Sequence, residues 1–139
     1  MIDSEKICYR CGAPAVSREH VPPQCIFPEG KDSLGANHRK NLITVPSCDL
    51  HNSQKSKDDE FLLCSIASIV GNNYVGFLHT QTKVSRAIRR KSAGFLEKVV
   101  MRNSRTFEIK ANKTKFIVSE GEPDYQRLVR CFENIAAGL

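Results

Sequence analysis

The apolar and polar positions along the chain fall into three successive patterns. In the first, about Lys6 to Ile69, the runs are short. Ala15–His20 reads as a strand, ended by Pro22-Pro23 because proline cannot donate to a ladder. Residues 24–40 form a long polar loop broken by Pro28, Gly30, Gly35 and Asn37. Leu42-Ile43-Thr44-Val45 is a β-type run and is predicted as the second strand. After Asn52 the pattern becomes helical, with Ser56 as the expected N-cap and Asp59 at the capping-box position. Leu62, Ile66, Ile69 and Val70 then recur at helical spacing.

Gly71-Asn72-Asn73 breaks that helix. A second helix is predicted from Thr82 to Met101, with Val84, Ala87, Ile88, Phe95, Leu96, Val99 and Val100 on its apolar face and Gly94 inside it. Thr106–Lys110 and Lys115–Ser119 read as two strands joined by Ala111-Asn112-Lys113-Thr114. Glu122-Pro123-Asp124 opens a last helix, whose apolar stripe is Tyr125, Leu128, Val129, Phe132, Ile135 and Ala136. Gly138 is its natural C-cap, and the abrupt end one residue later suggests a minimal or truncated version of something longer. The expected class is α+β, with a module over residues 1–70 and a basic helical and hairpin extension over 71–139.

Composition narrows this little. The 139 residues are 40% hydrophobic and 26% charged, as in an ordinary soluble domain rather than a disordered tract. No run of about 18 apolar residues is present, so no membrane partner is expected. MIDSEKICYR has no signal-peptide core, so a cytoplasmic location is expected. In a reducing compartment, closely spaced cysteines suggest metal rather than disulfide.

Two such pairs occur. Cys8 and Cys11 form a Cys-x-x-Cys turn with Gly12 behind it, and Cys48 stands three residues before His51. Together they offer the four donors of a tetrahedral structural Zn²⁺ site with no position left for water. Cys25, Cys64 and Cys131 fit no ligand spacing and are expected to be small buried residues. His38 and His79 have no partner pattern.

Between and after the ligand pairs lie Glu19-His20-Val21-Pro22-Pro23, then Asn41-Leu42-Ile43, then Asn52-Ser53-Gln54-Lys55. Over about Cys8 to Phe61 the chain resembles the zinc-containing branch of the HNH (ββα-metal) endonuclease family. The resemblance implies a zinc-stapled, treble-clef-like ββα-metal module. It implies His20 as general base on a water, Asn41 holding the hairpin loop, and Lys55 near the phosphates. It also implies Glu19 and Asn52 as ligands of a catalytic divalent metal. The family more often carries Asp before the histidine, and Glu19 is one methylene longer. The residue types suit phosphodiester hydrolysis: a base near neutral pKa, and oxygen donors for Mg²⁺ or Mn²⁺.

The formal net charge of +6 favours a polyanionic partner. From Lys83 to Arg105 eight cations face one acid, Glu97, and Lys83, Arg86, Arg89 and Arg90 are the expected nucleic-acid contacts. DNA is the expected substrate, and a homodimer is allowed for. The alternatives are a non-catalytic zinc-stapled nucleic-acid-binding module and a protein-interaction domain in which zinc only holds the fold.

Overall fold

A computed structural model describes residues 7–69, 71–91 and 101–139. Strands β1 (Ser17–His20) and β2 (Thr44–Ser47) pair antiparallel, with Glu19 opposite Val45 and His20 opposite Thr44. The second strand therefore starts and ends two residues later than its apolar run suggests and includes Pro46. Pro46 is tolerated because the sheet has two strands, both edges, and a proline carbonyl can still accept. It accepts from the Tyr9 amide at 3.0 Å. Asn41 adopts a left-handed conformation (φ 58°) in the turn just before β2, a conformation asparagine tolerates better than most residues.

Helix α1 (Asp49–Ala67) follows β2 at once, with Cys48 at its N-cap. Ser56 and Asp59 are therefore inside the helix rather than at its start. The capping-box pattern is overridden because the chain must already be helical at His51 to bring that ring to the cysteines.

The next helical rod also begins before its predicted start at Thr82. It comprises α2 (Tyr74–His79), one wide π-helical turn (Thr80–Val84) and α3 (Ser85–Lys91). Asn73, read as a breaker, is its cap: the side chain accepts from the Gly76 amide at 3.0 Å. The hydroxyls of Thr80, Thr82 and Ser85 donate to the carbonyls of Gly76, Leu78 and Thr80, a back-bonding pattern that accompanies the widened turn. Phe95, Leu96, Val99 and Val100, predicted for this helix, lie outside the described residues.

Strands β3 (Met101–Ala111) and β4 (Thr114–Pro123) form a hairpin longer at both ends than predicted. Its turn is only Asn112-Lys113, both at positive φ, the tight form that matches strand twist. Pro123 closes β4 and does not open the last helix. Asp124 caps helix α4 (Tyr125–Gly138), accepting from the Arg127 amide at 3.1 Å. Gly138 is the helix's last residue, and a Cβ there would meet the Val21 side chain at 2.7 Å.

Helix α1 is the axis on which both later segments pack. On one side Cys64 and Ala67 bury against Val84 and Ala87, with Ile88 and Met101 alongside. On the other, Phe61 and Leu62 bury against Cys131, with Ile26, Ile66, Leu128 and Ile135 alongside. The predicted stripe of α4 therefore splits: Leu128 and Ile135 face α1, while Tyr125, Val129 and Phe132 remain exposed. The Arg127 guanidinium lies 4.4 Å from the centre of the Phe61 ring and donates to Asp58 at 2.7 Å. Among the described residues no helix is long and apolar enough to cross a membrane.

Phe61 is completely buried at the crossing of α1 and α4. Phe61→Ala is expected to destabilise the protein by about 3–5 kcal/mol, read as a lower urea midpoint at unchanged slope.

Candidate functional site

The turn from Cys8 to Gly12 is set by short backbone bonds. The Cys8 amide donates to Ala13 O at 2.7 Å and the Gly12 amide to Cys8 O at 3.1 Å. Gly12 sits at φ 74°, where a side chain would be strained. Cys48 and His51 lie at the start of α1, three residues apart and so on one helix face. The two pairs meet. Cys8 Sγ is 3.6 Å from His51 Nδ1, Cys11 Sγ is 3.8 Å from Cys48 Sγ, and Cys48 Sγ is 3.2 Å from His51 Nδ1. All four donor atoms lie within 4.8 Å of one another.

Tetrahedral zinc, with bonds of about 2.3 Å to sulfur and 2.0 Å to nitrogen, has S–S edges of about 3.8 Å and S–N edges of about 3.6 Å. The spacing observed fits that solid with little adjustment. Cys8, Cys11, Cys48 and His51 thus form a cluster that can hold a metal ion. Burial would push the Cys8 thiol up, but backbone N–H groups at Arg10, Cys48 and Cys11 outweigh it and hold it down to about 6. That favours the thiolate a metal needs.

A separate cleft of about 320 Å³ lies beside the cluster. Arg18, Glu19 and His20 line it from β1, and Asn52, Lys55, Ser56 and Asp59 line it from α1. None of the four clustered donors lines it. Glu19, His20 and Asn52 therefore line one cavity. Glu19 is only 6% exposed. The Tyr9 hydroxyl lies beside its carboxylate, and burial together with that carboxylate pushes the Tyr9 pKa up, but no hydrogen bond of good geometry reaches either oxygen among the described residues. The neighbouring cation is Lys55, whose Nζ lies 3.5 Å from Glu19 Oε2.

Two predicted residues take other places. Lys55 is buried and donates to the His20 carbonyl at 2.6 Å, so it braces β1 from within rather than standing free for a phosphate. Asn41 is exposed, does not line the cleft, and makes no side-chain hydrogen bond among the described residues. The link between β1 and the segment before β2 is made by backbone instead, from the Val21 amide to Ile43 O at 3.0 Å.

The expected nucleic-acid cations are also partly engaged. Lys83 donates to the carbonyls of Cys25 and Phe27 at 2.9 and 3.1 Å, and Arg86 makes a two-pronged pair with Asp32 at 3.0 and 2.8 Å. With His79 bonded to Ile26 O at 2.8 Å, they clasp the long loop that sequence left without structure. Arg89 and Arg90 are exposed. A second cavity of about 530 Å³, lined by Lys31, Arg39, Lys83, Arg86 and Arg90 among others, adjoins the cleft and shares Ser56 and Asp59 with it. Of the remaining cysteines, Cys64 and Cys131 are buried as expected, while Cys25 is half-buried and donates to Asp59 O at 3.3 Å.

Asp59 is the cleft residue that sequence reading missed. Its signal was the polar stripe Asn52, Lys55, Ser56, Asp59 at i, i+3, i+4 and i+7, which one helix face carries. Comparison with family models, curated proteins and solved structures found no match to the chain.

Burial, aided by the charges of Glu19 and Asp58 and opposed by Lys55, pushes the Asp59 carboxyl up to about 6. A carboxyl that binds its proton more tightly when folded stabilises the fold below its ordinary pKa near 4. That contribution is lost as pH rises through 6. Without added divalent cation, Asp59→Asn is therefore expected to be more stable than wild type by about 2 kcal/mol at pH 7.5, with the difference vanishing near pH 4. Urea denaturation of both proteins across that range checks it.

Proposed function

We propose that the chain is a metal-dependent endonuclease of the HNH type, hydrolysing phosphodiester bonds of DNA. The observation that carries this reading is the meeting of Glu19, His20 and Asn52 in one cleft beside, but separate from, the Cys8, Cys11, Cys48 and His51 cluster. The order strand, strand, helix, with the histidine at the end of the first strand and the asparagine in the first turn of the helix, agrees with that family's ββα module.

We assign Zn²⁺ to the four-donor cluster. Its role is structural, because all four positions are taken by protein. For the cleft, the donors offered are oxygens, which suit Mg²⁺ or Mn²⁺. The fit rests on Glu19: a buried carboxylate with the Tyr9 hydroxyl and Lys55 beside it, but no well-formed hydrogen bond among the described residues, keeps donor capacity for a cation. Such an ion, held by Glu19 and Asn52, supplies Lewis-acid polarisation of the phosphate and charge neutralisation at the leaving oxygen.

The chain's own groups do the rest. His20, half-buried at the cleft wall, takes the proton of the attacking water. Lys55 fixes the His20 main chain from below, so the base does not shift with the loop that follows. At the adjoining cavity the exposed Arg90 favours a phosphate backbone, while Lys31 there is paired with Glu29 at 2.7 Å. One observation favours the second reading, a nucleic-acid-binding module without cleavage: Lys55 already offsets part of the Glu19 charge.

Plasmid nicking in Mg²⁺, Mn²⁺ or EDTA separates the two. Wild type is expected to nick with either ion and not in EDTA, and His20→Ala is expected to lose about 100-fold or more in rate. Equal nicking by both proteins removes His20 from the mechanism, and DNA binding with no nicking establishes the second reading. For the cluster, one Co²⁺ per chain is expected to give the absorption of a tetrahedral thiolate site, and Cys48→Ala is expected to abolish it together with much of the helical signal.

A further inference from the structure

Glu19 and Asn52 alone make a poor cation site, with one carboxylate and one neutral amide. The cleft contains another carboxylate. Asp59 lines it from α1, and its carboxylate has no hydrogen bond or ion pair among the described residues. Glu19, across the cleft, is more than nine-tenths buried, and no hydrogen bond of good geometry reaches its oxygens among the described residues. The two carboxylates share this partly buried space with two cations, Lys55 and the exposed Arg18, and keep lone pairs that no well-formed hydrogen bond among the described residues uses. The apolar residues burying beyond it, Phe61, Leu62, Leu63 and Cys64, make no use of an acid at position 59, whose one charged neighbour on α1's buried face is Lys55, a turn earlier.

We propose that Asp59 is a further ligand of the cleft's divalent cation, acting as the second carboxylate opposite Glu19. The inference rests on the metal-dependent reading above and adds to it a residue that the sequence motif does not contain. Asn52 and Asp59 lie two helical turns apart, about 10.5 Å along the axis. That spacing suits a hydrated ion gripped from its two sides. Mg²⁺ and Mn²⁺ keep several waters in such sites, so a carboxylate can act on the ion through one of them. Removing an outer ligand of this kind lowers metal affinity about 10- to 100-fold.

The test is a titration of the zinc-loaded full chain with Mn²⁺, reading free ion by electron paramagnetic resonance, alongside plasmid nicking. The variants are Asp59→Asn, Glu19→Gln and Glu60→Gln. Glu60 is the neighbouring acid on α1, paired with Lys91 on the surface, and controls for loss of one negative charge. Asp59→Asn and Glu19→Gln are each expected to weaken Mn²⁺ binding about 10-fold or more, with Glu60→Gln at wild-type affinity. Circular dichroism confirms that each variant is folded.

Wild-type affinity in Asp59→Asn, with loss in Glu19→Gln, overturns the role of Asp59 and leaves the endonuclease reading standing. An equal loss in Glu60→Gln overturns it too, since the effect is then general charge. Failure of the wild type to bind Mn²⁺ overturns both. Mn²⁺ binding that depends on Asp59, with no nicking of DNA, supports the ligand and overturns the endonuclease reading.

Discussion

The requirement that Cys8, Cys11, Cys48 and His51 share one centre governs the rest of the molecule. The β1–β2 pair has only four residues a strand, and a two-stranded hairpin of that size is marginal in water. Its hydrophobic support is thin: the buried apolar groups beside it among the described residues are Val21, Pro23, Cys8 and Cys48. The donor cluster takes the place of that missing core. It ties the turn before β1 to the residues after β2, so the ends of the hairpin are joined on the side away from the loop. Metal affinity in such a site becomes folding free energy, and an ion there would hold β1 against the start of α1.

That constraint also divides α1 in two. Its first turns carry the polar stripe from Asn52 to Asp59 that faces β1. Its later turns carry Phe61 to Ala67, which bury on two sides against α4 and the α2–α3 rod. The cleft therefore sits on the rigid half of a helix anchored at one end by the donor cluster and at the other by both cores. The long loop that forms another wall is immobilised by side chains reaching from the far rod, chiefly His79, Lys83 and Arg86.

Much of this could be read in the chain before any coordinates. Close Cys and His spacing marked the donor cluster because metal geometry demands those intervals. The order of Glu19, His20 and Asn52 around it pointed to three residues that line one cavity. The errors share a cause, which is that local signals were judged without their tertiary partners. Ser56 and Asp59 match a helix start, but the cluster had already imposed helix at Asp49. Pro46 argues against a strand, yet an edge position makes it harmless. Thr82 read as a helix start because Gly76 and the threonines around it hid the earlier turns. The cation run suggested a surface for polyanions, while Lys83 and Arg86 find carbonyl and carboxylate partners in a loop more than fifty residues away. Asp59 was legible only once α1 was known to face β1, since its stripe has meaning only relative to that wall.

Lys55 bears on the cleft in one more way. Its ammonium is fixed by the His20 carbonyl and cannot swing out, so it counts permanently in the local charge. With Glu19 and Asp59 ionised, their charges are matched by Lys55 and by Arg18, which also lines the cleft. A divalent cation entering it would leave an excess of positive charge that phosphate groups can cancel. Had position 55 been neutral, the same ion would have met a net negative cleft and left less charge for a phosphate to answer. Entry of the ion and entry of a phosphodiester are therefore coupled through the buried lysine.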